Sequence, residues 1–296
     1  MIATYNNLNI KCVLLDMIYR NFGNSGFKCS AIGMGTYYDM RWIFKTYFGI
    51  YSNRDEKIEA IKTGIENGIN LIDTAELYNT EKIIAEAIKD FKRDNLFIAT
   101  KVFPTHLAPR SLEKAVNRSL KKLNTKYIDL YQIHFPSPFV DLKKTLKRME
   151  KLIDDGKINN IGVSNFSLKM IKDSNNALSK HKLTSVQLDY NIFHKNIEKN
   201  GILEYCKKNN IVVMPYFPLG HGKVTKSYYN QYFDQIRRDI KDIPNANIAL
   251  SYLISKNDNV FAIPRASNKE HVLQNIKYSD IILNDRQIKI IDGIKY

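Results

Sequence analysis

The chain has 296 residues, 44% of them hydrophobic, and carries 45 Lys and Arg against 30 Asp and Glu, a net charge of +15. A large core is within reach, no apolar run approaches the ~18 residues of a membrane-crossing helix, and the run 12–15 before Asp16 is too short for a signal-peptide core. Three scattered cysteines (Cys12, Cys29, Cys206) and six histidines without His-Glu-x-x-His spacing argue against a disulfide framework or zinc hydrolase, so a reduced, cytoplasmic protein without a metal is expected.

The elements read in chain order as follows. Residues 17–30 suggest a small hairpin turning at Gly23-Asn-Ser-Gly26. Residues 31–34 are the first strand of the main sheet. A helix over 55–67 stops at Gly68 and leads to a strand over 70–73. A helix over 80–91 precedes a strand over 96–101. A helix over 111–123, with Ser111 as N-cap, leads to a strand over 128–134. Helix 142–155 stops at Gly156 before strand 160–164. Helix 167–179 precedes strand 185–189, and helix 202–209 precedes strand 211–216. The stretch 217–243 is irregular and long enough for a binding lid. Helix 246–255 precedes a last strand over 260–264, and helices over 269–276 and 285–294 close the chain.

Eight strands alternating with helices, without a linker, indicate one α/β domain with a parallel sheet. A closed (β/α)8 TIM barrel and an open doubly wound sheet both satisfy right-handed crossovers, and eight units favour the barrel. No Gly-x-Gly-x-x-Gly follows any strand, which argues against a Rossmann site.

Asp73, Lys101 and His134 each end an apolar strand, and Tyr78 lies just beyond Asp73. In a parallel barrel the strand ends open on one face, so the four side chains converge there. A buried lysine needs a partner, and Asp73 is the natural one. The plainer reading of that pair is an ion pair holding the barrel mouth. Tyr78 adds chemistry: a free phenol titrates near ~10, and a nearby ammonium lowers that value. His134 can bond a carbonyl oxygen or complete a relay. Gly162-Val-Ser164-Asn-Phe lacks the closing glycine of a serine-nucleophile elbow.

These motifs resemble the aldo-keto reductases. The matching pieces are Gly68-Ile-Asn-Leu-Ile-Asp73-Thr-Ala-Glu-Leu-Tyr78, Thr100-Lys101, Asp129-Leu-Tyr-Gln-Ile-His134, Gly162-Val-Ser-Asn-Phe166, Gln187, Tyr216-Phe-Pro-Leu-Gly220 and Ile263-Pro-Arg265. The resemblance runs from Met17 onward. It implies a (β/α)8 barrel over 17–296, with an N-terminal hairpin and a C-terminal helix, and leaves 1–16 as a dispensable extension. It also implies carbonyl reduction with NADPH, NADH being possible, on a small-molecule substrate. Tyr78 would be the acid, Lys101 and Asp73 its tuning groups, and His134 the carbonyl-orienting residue.

By the same resemblance Ser164, Asn165 and Gln187 would hold the nicotinamide carboxamide, and Tyr216 would stack on the ring. Gly35, Thr36, Phe217, Leu219, Gly220 and Gly222 complete the expected cofactor contacts, the last three near the pyrophosphate. Arg265 would meet a 2′-phosphate, with His271, Gln274 and Asn275 toward the adenine. Asn79 stands where the family usually has Gly, Ala266 lacks a common hydroxyl, and His271 replaces a common Arg. The substrate pocket would be lined by Tyr37, Trp42, His106, Phe135 and parts of 217–243.

Two other readings remain beside the enzyme. One is a cofactor-binding regulatory barrel resembling a potassium-channel β subunit. The other is a basic barrel that binds nucleic acid, but the lysines are scattered and form no block of five. No nucleic-acid or membrane partner is expected, and oligomeric state is not legible.

Overall fold

The computed structural model describes residues 17–294; the extension expected at 1–16 lies outside them. The predicted hairpin forms from β1 (Tyr19–Asn21) and β2 (Lys28–Ser30), paired antiparallel. Seven parallel strands follow in sequence order: β3 (Met34–Gly35), β4 (Leu71–Asp73), β5 (Phe97–Val102), β6 (Ile128–Ile133), β7 (Ile158–Ser164), β8 (Leu183–Asp189) and β9 (Val212–Tyr216). Helices cross between them and wrap the outside, as right-handed parallel connections require.

The strand predicted over 260–264 is a correction: it is a seam of isolated bridges. Ile32 pairs with Ala262, Gly35 with Arg265 and Val213 with Val260, all parallel. The seam still closes the ring, because Gly33 N–H donates to Ala262 at 2.8 Å and Phe261 N–H to Val213 at 3.0 Å. Pro264 brings no N–H, which interrupts a regular ladder at that point. The result is a near-closed barrel of seven regular strands.

Alternation sets the two faces. Leu71, Phe97, Leu130, Val212 and Phe261 point inward and form a separate inner cluster, while their neighbours face the helices. The hairpin plugs this end of the barrel. Phe22 is fully buried and packs on Phe97 at 4.5 Å and Phe261 at 5.0 Å between ring centroids.

Three further details depart from expectation. The helix begins at Pro109, not at Ser111, which makes no cap; it runs Pro109–Leu123 after Ala108. Proline's fixed φ suits the first helical position, so the helix starts earlier. A helix not anticipated, Met40–Tyr47, is capped by the Asp39 carboxylate, which accepts from Trp42 N–H at 2.6 Å. The stretch 217–243 is partly ordered into 3-10 turns at Gly220–Thr225 and Ser227–Tyr229 and a helix at Asn230–Arg237, held by buried Phe233 and Ile236.

Candidate active site

Four titratable groups meet at the C-terminal ends of β4, β5 and β6. Asp73 ends β4, and Lys101 lies on β5 with its side chain inside the barrel. Lys101 Nζ donates to Asp73 Oδ2 at 2.7 Å and to the Thr74 carbonyl at 2.7 Å. The other carboxylate oxygen accepts from Gln187 Nε2 at 2.9 Å. Both residues are buried, and burial alone pushes Asp73 up and Lys101 down. Each also draws the other toward its charged form. With donors on both carboxylate oxygens and two acceptors on the ammonium, the ion pair is well supported.

Tyr78 closes a single 3-10 turn, Glu76–Tyr78, above this pair. Its hydroxyl lies 3.4 Å from His134 Nε2, and Lys101 Nζ lies 5.0 Å from its ring centroid. Asn79 takes the left-handed conformation (φ 56°) that glycine adopts freely and asparagine tolerates, so the turn survives the Gly-to-Asn departure.

The charge states correct one expectation. Burial pushes the Tyr78 phenol well above its usual value, and the Asp73 carboxylate adds to the rise. The lowering expected from Lys101 does not prevail, because burial outweighs it and that ammonium is shared with Asp73 and Thr74. The phenol therefore stays protonated across neutral pH. Burial, with Lys101 adding, holds His134 down at about 3, so the imidazole is neutral.

The candidate cofactor residues form a connected arc. Asn165 adopts φ 63° after β7. Its Nδ2 donates to the His134 carbonyl at 3.0 Å and to Ser164 Oγ at 3.0 Å, and its Oδ1 accepts from the Tyr216 hydroxyl at 2.8 Å. Tyr216, half-buried at the end of β9, meets Phe217 edge-on, and Phe217 lies 3.8 Å from His221 between ring centroids. Leu219 is half-buried in the turn that follows. Gly220 is buried, and a Cβ there would strike the Phe193 ring at 2.6 Å, so its glycine serves packing. Gly222 has φ 80° with nothing within 4 Å of where a Cβ would stand, which leaves its backbone open to a ligand.

Gly35 belongs to the seam, where a Cβ would meet the Ile263 carbonyl at 2.9 Å. Arg265 is exposed beside it and donates to the Tyr38 carbonyl. His271, Gln274 and Asn275 lie on the helix Lys269–Ile276; the first two are exposed and Asn275 is buried.

Two expected site residues turn inward instead. Thr36 is fully buried, and its hydroxyl donates to the Asp73 carbonyl at 2.9 Å and bonds Thr80 at 2.9 Å, so it braces β3 against β4. Trp42 is buried under Lys57, whose Nζ lies 4.6 Å from the ring, and packs on Tyr38 and Tyr51. It is core of the new helix, not pocket wall. Tyr37 and Phe135 do border Tyr78 and His134: Tyr37 meets Tyr78 at 5.2 Å, and Phe135 stacks on His134 at 4.6 Å. His106 Nδ1 lies 3.1 Å from Glu76 Oε2, and Arg118 binds the other oxygen at 2.7 Å.

Glu76 and Gln132 escaped the sequence reading. Glu76 holds Phe103 N–H at 3.2 Å as well as His106, tying the Tyr78 turn to the next loop. Gln132 is buried and accepts from Ser185 Oγ at 3.2 Å. Its place two residues before His134, on one inward face, was the available signal. A cavity of about 500 Å³ lined by Ser25, Phe27, Asp129 and Thr184 lies at the hairpin end and holds none of the four acids and bases.

The Aldo/keto reductase family model matches residues 31–295. Aldo-keto reductase YhdN of Bacillus subtilis is 37% identical over 230 residues, 73% of this chain and 66% of that protein. Methylglyoxal reductase YeaE of Escherichia coli is 30% identical and covers 88% of this chain and 89% of its own. Among solved structures, a thermostable aldo-keto reductase, Tm1743, with the inhibitor epalrestat superposes at a TM-score of 0.85 and 35% identity, covering 94% of this chain and 99% of its own. An aldo/keto reductase of Klebsiella pneumoniae with NADP and acetate gives 0.78 at 29%, covering 93% and 96%. Fold, site and relatives agree, and the chain belongs to the aldo-keto reductase family, the NAD(P)H-dependent reductases of carbonyl groups.

Proposed function

We propose that this protein reduces small aldehydes and ketones with NADPH and that Tyr78 protonates the carbonyl oxygen. The observation that carries the reading is Tyr78 O–H beside neutral His134 at 3.4 Å, above a buried Lys101–Asp73 pair. When bound, a nicotinamide dinucleotide supplies the hydride. The residues fit such a group: the linked Ser164, Asn165 and Tyr216 present an amide and an aromatic face, Gln187 keeps its amide oxygen, and Arg265 offers an exposed guanidinium. The Klebsiella relatives are described with NADP and with NADPH, and the Escherichia coli relative is named for methylglyoxal, which supports this cofactor and substrate class.

Reduction places negative charge on the substrate oxygen, and donors set in advance stabilise it. Tyr78 gives its proton there, and a neutral His134 with its proton on Nε2 donates a second hydrogen bond. The phenolate left behind is costly in a buried site, and the Lys101 ammonium 5.0 Å from the ring offsets part of that cost. Burial of Cys29 and Cys206 as free thiols supports a reducing, cytoplasmic setting.

Tyr78→Phe tests the assignment. It removes one hydroxyl and keeps the ring, so folding and NADPH binding should persist while turnover on an aldehyde panel falls by ~10²–10⁴. Near-parental turnover in that variant would sink the assignment. Activity of the parent chain distinguishes an enzyme from a regulatory barrel.

A further inference from the structure

The large apolar side chains left exposed among the described residues are not scattered. Met40, Phe44, Tyr47, Phe48 and Ile50 are 55% to 68% exposed, and Phe139 is 93% exposed. The first five lie in the connection that leaves β3, and Phe139 in the one that leaves β6. Tyr228, also exposed, lies in the connection after β9, and Phe135 borders the site itself. Only Tyr19 and Ile282 of this exposed set lie elsewhere. All three connections emerge from strand C-terminal ends, so the apolar groups ring the mouth of the barrel.

The helix Met40–Tyr47 shows why this is more than a loose loop. It buries Trp42, Ile43 and Thr46 on one side and presents Met40, Phe44 and Tyr47 on the other. Phe44 and Phe48 pack on each other at 5.0 Å in the open. A helix with one face in the core and large apolar side chains beside Arg41 and Lys45 on the other has a second surface to cover.

Charge indicates with what. Across 36–53, 134–141 and 217–230 the acidic residues are Asp39 and Asp141. Both are occupied as helix N-caps, Asp39 on Trp42 N–H and Asp141 on Lys144 N–H. Arg41, Lys45 and Lys226 are exposed on the same rim, in a chain of net charge +15. The apolar groups project from three separate connections around an opening rather than lining one groove. That suits a fluid surface better than a shaped partner. Phe and Tyr flanked by Lys and Arg favour the headgroup region of a bilayer, and basic residues are drawn to anionic lipid.

We propose that the mouth rim docks on an anionic phospholipid surface, inserting Phe44, Phe48 and Phe139 with Arg41, Lys45 and Lys226 among the headgroups. This surface is independent of the carbonyl-reduction reading.

The test is sedimentation of the full chain with vesicles of phosphatidylcholine alone or mixed with phosphatidylglycerol. The protein should pellet with the mixed vesicles at low salt and be largely released at high salt. The double variant Phe44→Ser/Phe48→Ser should lower partitioning by ~10-fold or more. Phe139→Ser, on a side chain that packs on almost nothing, should lower it separately and cannot act by unfolding. Reduction of a water-soluble aldehyde by these variants should match the parent. Absence of vesicle binding at low salt, or binding that none of the substitutions weakens, overturns the proposal. So does gel filtration showing a dimer that these substitutions dissolve, since a second copy is then the occupant.

Discussion

Arg265 holds the Tyr38 carbonyl, and substitution separates that contact from the proposed 2′-phosphate role. Its guanidinium bonds the Tyr38 carbonyl and remains exposed beside Gly35. A 2′-phosphate is well matched by such a fork. Arg265→Ala is expected to weaken NADPH binding by ~1.5–3 kcal/mol and to spare NADH, read by titration calorimetry with both cofactors. Equal losses for both would mean that Arg265 only holds Tyr38. His134 leads to a pH prediction. Its folded value of about 3 lies below the ordinary 6.5, so the unfolded chain takes up a proton that the folded chain refuses. His134 therefore supports stability fully above about pH 6.5 and loses that contribution as pH falls toward about 3. Asp73, pushed up, acts in the opposite sense, so only a comparison isolates the imidazole. His134→Gln should melt with less acid sensitivity than the parent in this window, by differential scanning fluorimetry. Parallel curves would show that the imidazole does not titrate on unfolding as argued.

The elements divide the barrel into a closed end and a working end. At the closed end the hairpin exists to deliver Phe22, since two three-residue strands alone have little independent stability. Phe22→Ala removes a fully buried ring from between Phe97 and Phe261 and should cost ~3–5 kcal/mol, seen in denaturant unfolding. Activity per folded molecule should hold, because the four catalytic candidates sit at the opposite strand ends. A loss under ~1 kcal/mol would show that the cluster refills the space. At the working end, short turns do the positioning. Glu76 links the Tyr78 turn to the loop after β5, and Asn165 links the end of β6 to the end of β9. Both turns are local in sequence but take their meaning from partners on other strands.

At the scale of the whole molecule, hydrophobic periodicity and helix stops were legible because they depend on neighbours three or four residues away. The alternation of strands and helices, the left-handed stop at Gly68, and the strand ends carrying Asp73, Lys101 and His134 all follow from such local rules. The family motifs were legible for the same reason, as short runs with set spacing. The helix Met40–Tyr47 was not, since it spans only eight residues and its Asp39 cap shows only once the chain is folded. The stretch 260–264 was read as a strand because its composition is strand-like; register against β3 and β9, together with Pro264, decided otherwise. Burial likewise came only with the tertiary structure. Trp42 and Thr36 became interior because Lys57 and Thr80 cover them from other elements. The sign of the Tyr78 shift belongs to the same class. The sequence by itself determined which acids and bases share the mouth. Only the folded chain decided that Asp73 and Thr74 absorb the Lys101 charge while burial holds the phenol's proton, because electrostatic balance depends on distances across strands and on excluded water.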